Sequence, residues 1–123
     1  MNTLQALSSS SIVGTNVYNR EGESLGDIKD LMIDTNTGRI AYAVLSFGGF
    51  LGIGDKYFAM PWEAFTIDTS NERFVLNVDK ERLENAPGFN KDNWPDSSNH
   101  DYLTEVYNYY NYEPYWRQKA ALV

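Results

Sequence analysis

An all-β fold, a small barrel or sandwich with a short helical C-terminal extension, is predicted by three observations. Short apolar stretches separated by Gly-, Asn- and Pro-bearing turns recur from residue 11 to residue 90. Aromatic side chains are abundant, with nine Tyr, six Phe and three Trp in 123 residues, and such side chains suit a pleated, half-buried surface. Beyond Pro87 the composition shifts to a Tyr- and Asn-rich segment with helical spacing. The length suits one core, and the chain divides into a disordered tail (1–10), a β domain (11–90) and a Tyr-rich helical extension (91–123) that packs on the β domain or on a partner.

The tail, MNTLQALSSS, has neither charge nor a continuous apolar run, so it lacks both regions of a secretory signal. Ile12 to Asn19 reads as the first strand, closed by a turn at Arg20 to Glu23 in which Gly22 supplies a positive φ. Leu25 to Asp34 is the second. Asp30 falls in its apolar middle and is expected to be a buried carboxylate that ties down a neighbouring turn, because a buried carboxylate must be hydrogen-bonded. Thr35 to Gly38 is a hairpin turn, and Arg39 to Phe47 is the third strand. The run Phe47 to Gly54, FGGFLGIG, then leads to Lys56–Met60, a strand ended by Pro61, and Pro61-Trp62 forms a corner. Arg73 to Val78 is a further strand with Phe74, Leu76 and Val78 inward. Asp79 caps a helical turn that stops at Ala86-Pro87-Gly88. Past it, Ser97 or Ser98 caps a helix in which Leu103, Val106, Tyr107 and Tyr110 make one apolar stripe.

Charge and composition exclude several classes. Seventeen acidic against ten basic side chains give −7, and the basic ones are scattered, which opposes direct nucleic-acid binding. The absence of cysteine removes disulfides, thiolate metal sites and Cys nucleophiles, and fits a cytoplasmic location. No apolar run approaches the roughly 18 residues that cross a bilayer; peripheral membrane association stays open. Gly49-x-x-x-x-Gly54 has Asp55 where a phosphate loop needs Lys, and a strand follows where a helix is required. Asp34-x-Asn36-x-Gly38 places Gly at the wrong position for a calcium loop and Leu45 where the closing Glu belongs. His100, the lone histidine, has no second imidazole with which to share a metal. Asp27 and Asp30, three apart on a strand, point to opposite faces and make no carboxylate pair. We therefore expect no enzyme, no cofactor and no metal.

Several motifs occur in order: Gly14-x-x-Val17, Gly22-Glu23-x-x-Gly26-x-Ile28-x-Asp30, Thr37-Gly38-Arg39-Ile40, the hairpin FGGFLGIGDKYF and the corner Met60-Pro61-Trp62. Across residues 11–90 the chain resembles the PRC-barrel family, named for the H subunit of the photosynthetic reaction centre. The resemblance implies a small, strongly bent antiparallel barrel that serves as a binding or docking module. Family members include the cytoplasmic part of that subunit, the C-terminal domain of a small-subunit ribosome-maturation factor, and short stand-alone proteins, which this chain is most similar to.

The function expected is a non-catalytic binding and assembly module, mediating homodimerisation and docking of an unidentified protein partner. A small-molecule or ion-binding barrel and a ribosome or RNA-processing accessory protein are the alternatives. Gly48, Gly49, Gly52 and Gly54 free the backbone at a hairpin tip, so Phe47, Phe50, Leu51 and Ile53 either plug one end of the barrel or offer an apolar contact surface. Tyr107 and Tyr110 join them as candidate interaction residues, since Tyr contributes large area with a polar tip. Gly22, Asp30, Gly38, Pro61 and Trp62 are read as structural.

Overall fold

Seven strands form one sheet in the order β5-β6-β1-β2-β3-β4-β7. The computed structural model describes residues 6–47, 56–68, 70–71, 73–90, 92–96 and 100–117. Along the chain come α1 (Ser9–Ile12), β1 (Asn16–Tyr18), β2 (Ser24–Ile33), β3 (Ile40–Phe47), β4 (Lys56–Met60), a 3-10 turn (Trp62–Ala64), β5 (Phe65–Asp68), β6 (Arg73–Leu76), α2 (Lys80–Glu84), β7 (Gly88–Phe89), α3 (His100–Tyr109) and a final 3-10 turn (Tyr115–Arg117). The fold is all-β with a small C-terminal helix. It departs from the expected antiparallel barrel in two ways: β5 and β7 are edges that do not pair with each other, and β1 runs parallel to β6, with Val17 beside Phe74 and Tyr18 beside Val75.

Three irregularities of register bend the sheet. They lie between Val17 and Tyr18, between Ile28 and Asp30, and between Met32 and Ile33. Each inserts an extra residue and increases the local twist. The second of them corrects the reading of Asp30. A regular strand would keep Asp30 on the face of buried Ile28; the extra residue Lys29 re-aims it, so that Asp30 is exposed and accepts from the adjacent Leu31 N–H at 2.8 Å. The periodicity argument that set Asp27 and Asp30 on opposite faces is interrupted at the same place.

Local chemistry explains the turns. Gly22 and Gly38 have φ of +86° and +76°, as the turn readings require. Asn19, 3% exposed, clasps the first turn: its amide donates to Glu23 Oε1 and its carbonyl accepts from Glu23 N, both at 2.8 Å. Asp34 likewise accepts from Asn36 N at 2.9 Å, an Asx turn. At Gly26, φ is +106° and an added Cβ would lie 2.0 Å from the Ser46 carbonyl oxygen, so close strand approach excludes any side chain there.

Residue 12 belongs to a helical turn instead of opening the first strand. Ser8 Oγ accepts from Ser11 N at 3.2 Å to start α1, and buried Ile12 fastens it to the core. Residues 8–10 are thus part of a described element, where the sequence reading has a disordered tail. Asp79 occupies the N-cap of α2 without a side-chain capping bond. The extension packs within the chain: Val106, Tyr107 and Tyr110 are buried, while Ser97 and Ser98 lie outside the described residues. The core gathers Val17, Leu25, Ile28, Val44, Leu45, Phe58 and Leu76, all 1% exposed or less. Strand β3 is buried from Ala41 to Phe47, on both faces, which accounts for its unbroken apolar run.

Candidate functional site

The residues singled out by sequence divide between interior, corner and undescribed loop. Phe47 is 5% exposed, its ring tilted against Phe58 with centroids 6.2 Å apart. A small cleft of about 130 Å³ opens beside it, between Lys56, Phe58 and Glu84. Phe50, Leu51 and Ile53 lie outside the described residues. Pro61 is buried, and Trp62 packs on Phe65 and Phe74 at 5.6 and 5.8 Å, so the pair turns the corner as read.

Tyr107 and Tyr110 serve as anchors within the chain. The Tyr107 hydroxyl donates to Ala41 O at 2.7 Å, and burial raises its pKa. Tyr110 is 7% exposed and raised for the same reason; its hydroxyl has no hydrogen-bond partner among the described residues. The segment is clasped at two points, in its final turn and at the end of α3. Tyr115 OH donates to Asp34 Oδ2 at 2.5 Å, and Arg39 donates to Tyr115 O at 3.3 Å with its guanidinium 5.1 Å from the ring. The Tyr115 hydrogen bond is the main cause holding the Asp34 carboxyl below its ordinary range; burial first, then that bond, pushes Tyr115 up to about 12. At the end of α3 Tyr109 OH donates to Arg82 O at 2.6 Å, and Arg82 donates in return to Tyr109 O.

The two sheet edges differ in cover. Phe89 of β7 is 9% exposed, ringed by Tyr57, Trp94 and Tyr102 at 6.0, 5.3 and 6.3 Å. On β5, by contrast, the neighbours Thr66 and Ile67 are both exposed. Successive strand residues face opposite ways, so β5 meets solvent on both faces at Thr66 and Ile67, while Phe65 packs on Trp62 and Phe74. Beside it a groove of about 560 Å³ lies between the N-terminal turn and the β5–β6 hairpin, lined by Leu7, Ile12, Ile67, Asp68, Arg73 and Phe74 among others. Leu7, Val13 and Ile67 are 51%, 39% and 39% exposed, three of the few large apolar side chains that meet solvent among the described residues. Charge there is locally spent: Asp68 accepts from Asn71 Nδ2 at 2.9 Å and pairs with Arg73 Nε at 3.4 Å, while Arg73 stacks over Tyr18 at 5.2 Å.

The sequence reading assigns no strand to residues 63–72 and so passes over this edge. The alternation of Phe65 and Ile67 with Thr66 and Asp68 was the available signal, short but period-two and β-branched.

A family model, the PRC-barrel domain, matches residues 5–83. None of the curated proteins compared matches the chain. Among solved structures it is similar to a Pseudomonas aeruginosa protein described as a 16S ribosomal RNA processing protein, RimM, at 18% identity and a TM-score of 0.43, over 63% of this chain. It spans 47% of that protein's length. The match to the family model takes in more than half of the residues, from α1 through α2, and on that ground the chain belongs to the PRC-barrel family.

Proposed function

We propose that this PRC-barrel chain is a non-catalytic binding and assembly module that self-associates and docks a protein partner. The observation that carries the reading is the pair of exposed apolar side chains Leu7 and Ile67 on an open groove at a sheet edge that no other strand covers among the described residues. Apolar surface gathered in one place marks an interaction site, and two-fold dimers are the commonest oligomers. The charge of −7 with scattered bases argues against a nucleic-acid partner, and a cysteine-free chain suits the reducing cytoplasm.

Light scattering coupled to size exclusion over a wide concentration range tests self-association. A mass that rises toward two chains is expected; a single-chain mass at every concentration removes the assembly half of the proposal. A second reading has one observation in its favour: the groove's volume falls in the roughly 300–1,000 Å³ range of small-molecule sites. A thermal-shift screen separates it, because a ligand that binds the folded state raises the melting temperature as its concentration rises.

A further inference from the structure

A strand edge presents a row of outward N–H and C=O groups, and its best partner is another strand. Natural sheets blunt such edges with lysines, proline, bulges or a covering element. Strand β5, Phe65-Thr66-Ile67-Asp68, has no lysine, proline or bulge, and no strand covers it among the described residues. Its pairing with β6 is in step throughout, Phe65 with Leu76 to Asp68 with Arg73. No strand lies on its other side among the described residues. Its one charge, Asp68, is turned back to Asn71 and Arg73.

We propose that β5 pairs with β5 of a second copy of this chain, antiparallel about a two-fold axis at Ile67, an inference that rests on the self-association reading above. Three features select a second copy as the occupant. First, a two-fold edge contact is self-complementary, so every contact one copy makes is made again by the other. Second, the register sets Ile67 opposite Ile67, with Cβ atoms about 4.5–5.5 Å apart, and sets Thr66 across from Asp68 so that no like charges meet. The incoming Ile67 then lies beside the groove floored by Ile12 and Phe74. Third, three paired residues of each copy, Thr66 to Asp68, alone fall short of the roughly 1,200 Å² that a specific interface buries. The groove and the exposed Leu7 on it supply more apolar area, and the two-fold supplies it twice. Since each copy carries −7, salt screens their repulsion and tightens the dimer, the reverse of what a basic partner would show.

The experiment uses Ile67→Lys and Ile67→Glu, each alone and mixed in equal amounts, by sedimentation equilibrium at two salt concentrations, with circular dichroism to check folding. The wild type dimerises, more tightly at high salt. Each variant alone is a folded monomer, its dimer weakened by about a hundredfold or more because like charges stand opposed. The mixture recovers the dimer to within about tenfold of wild type, as opposite charges now meet across the axis. Wild-type affinity in either variant overturns the edge while self-association survives, and moves the interface elsewhere, the glycine loop first. Monomeric variants whose mixture stays monomeric overturn the register. Loss of folding in both variants overturns the premise that Ile67 is open to a partner. A monomeric wild type overturns this inference and the assembly reading together.

Discussion

At one end of the sheet Phe89 is walled in by Tyr57, Trp94 and Tyr102; at the other, Thr66 and Ile67 stand exposed on opposite faces of β5. Both end strands are short, so length does not distinguish them. The guard does. The side chains that close the β7 end include Trp94 and Tyr102 from beyond residue 83, where the family match stops. The matched portion ends before β7, so its two end strands are β5 and β4; β7 pairs on the β4 side and the Tyr-rich extension walls it in. Concealment at β7 makes the exposure of Thr66 and Ile67 informative, because among the described residues the Tyr-rich extension covers one end of the sheet and not the other.

Substitutions can break this contrast, and their effects are expected to fall in order. Phe89→Ala removes the ring on which three aromatics converge and should cost about 3 kcal/mol in urea unfolding at fixed protein concentration; a loss under about 1 kcal/mol would show that the β7 cover is not structural. Gly88→Ala comes next. Its Cβ would sit 2.8 Å from Tyr57 O and 3.0 Å from the Phe58 ring, so overpacking of about 2 kcal/mol is expected. Tyr107→Phe takes the donor from Ala41 O and should cost about 1 kcal/mol, with the same dependence on urea concentration as wild type if only stability has changed.

Acid and base act on the Asp34–Tyr115 clasp. Asp34 is depressed, so its contribution is present above the ordinary carboxyl value of 3.8 and is lost as pH falls below it. Tyr115 is raised, so its contribution is full below 10.0 and is lost as pH rises toward about 12. Between those limits the C-terminal turn stays docked; Trp116 fluorescence should change at both ends and hold steady from pH 5 to 9, and a transition near pH 7 would contradict the assignment. The smallest effect belongs to the open edge, where Ile67→Lys should alter monomer stability by no more than about 0.5 kcal/mol, since the side chain is already 39% exposed.

Much of this architecture is legible in the sequence because it depends on spacing. The helical stripe of Leu103, Val106, Tyr107 and Tyr110, the glycines at positions 22 and 38 and the Pro61-Trp62 corner follow from period and turn chemistry. What escaped depends on partners distant in sequence. Asp30 reads as buried because period two is assumed to persist, and a single extra residue opposite β3 defeats it. The direction of β1 against β6 leaves no trace in either strand, since Val17 and Phe74 would be equally apolar in an antiparallel pair. Of the candidate interaction residues, Tyr107 and Tyr110 carry the right chemistry for an interface but are buried within the chain, and nothing in a Tyr-rich helix says which surface will cover it.

The parallel pairing of β1 with β6 has a kinetic consequence. The sheet joins the β5–β6 hairpin to everything else through the three residues of β1, and the β1–β6 contact links Tyr18 to Val75 across nearly half the chain. Loop-closure entropy must be met before so remote a seam forms, and topologies dominated by distant contacts fold slowly. The hairpin should therefore dock late and detach early, as a cooperative unit of lower stability than β2–β3–β4. Native-state amide exchange would register this as faster opening at residues 73–76 than at 41–45. Anything that grips β5 would then act on the last seam to close, stabilising the whole sheet from its least secured end.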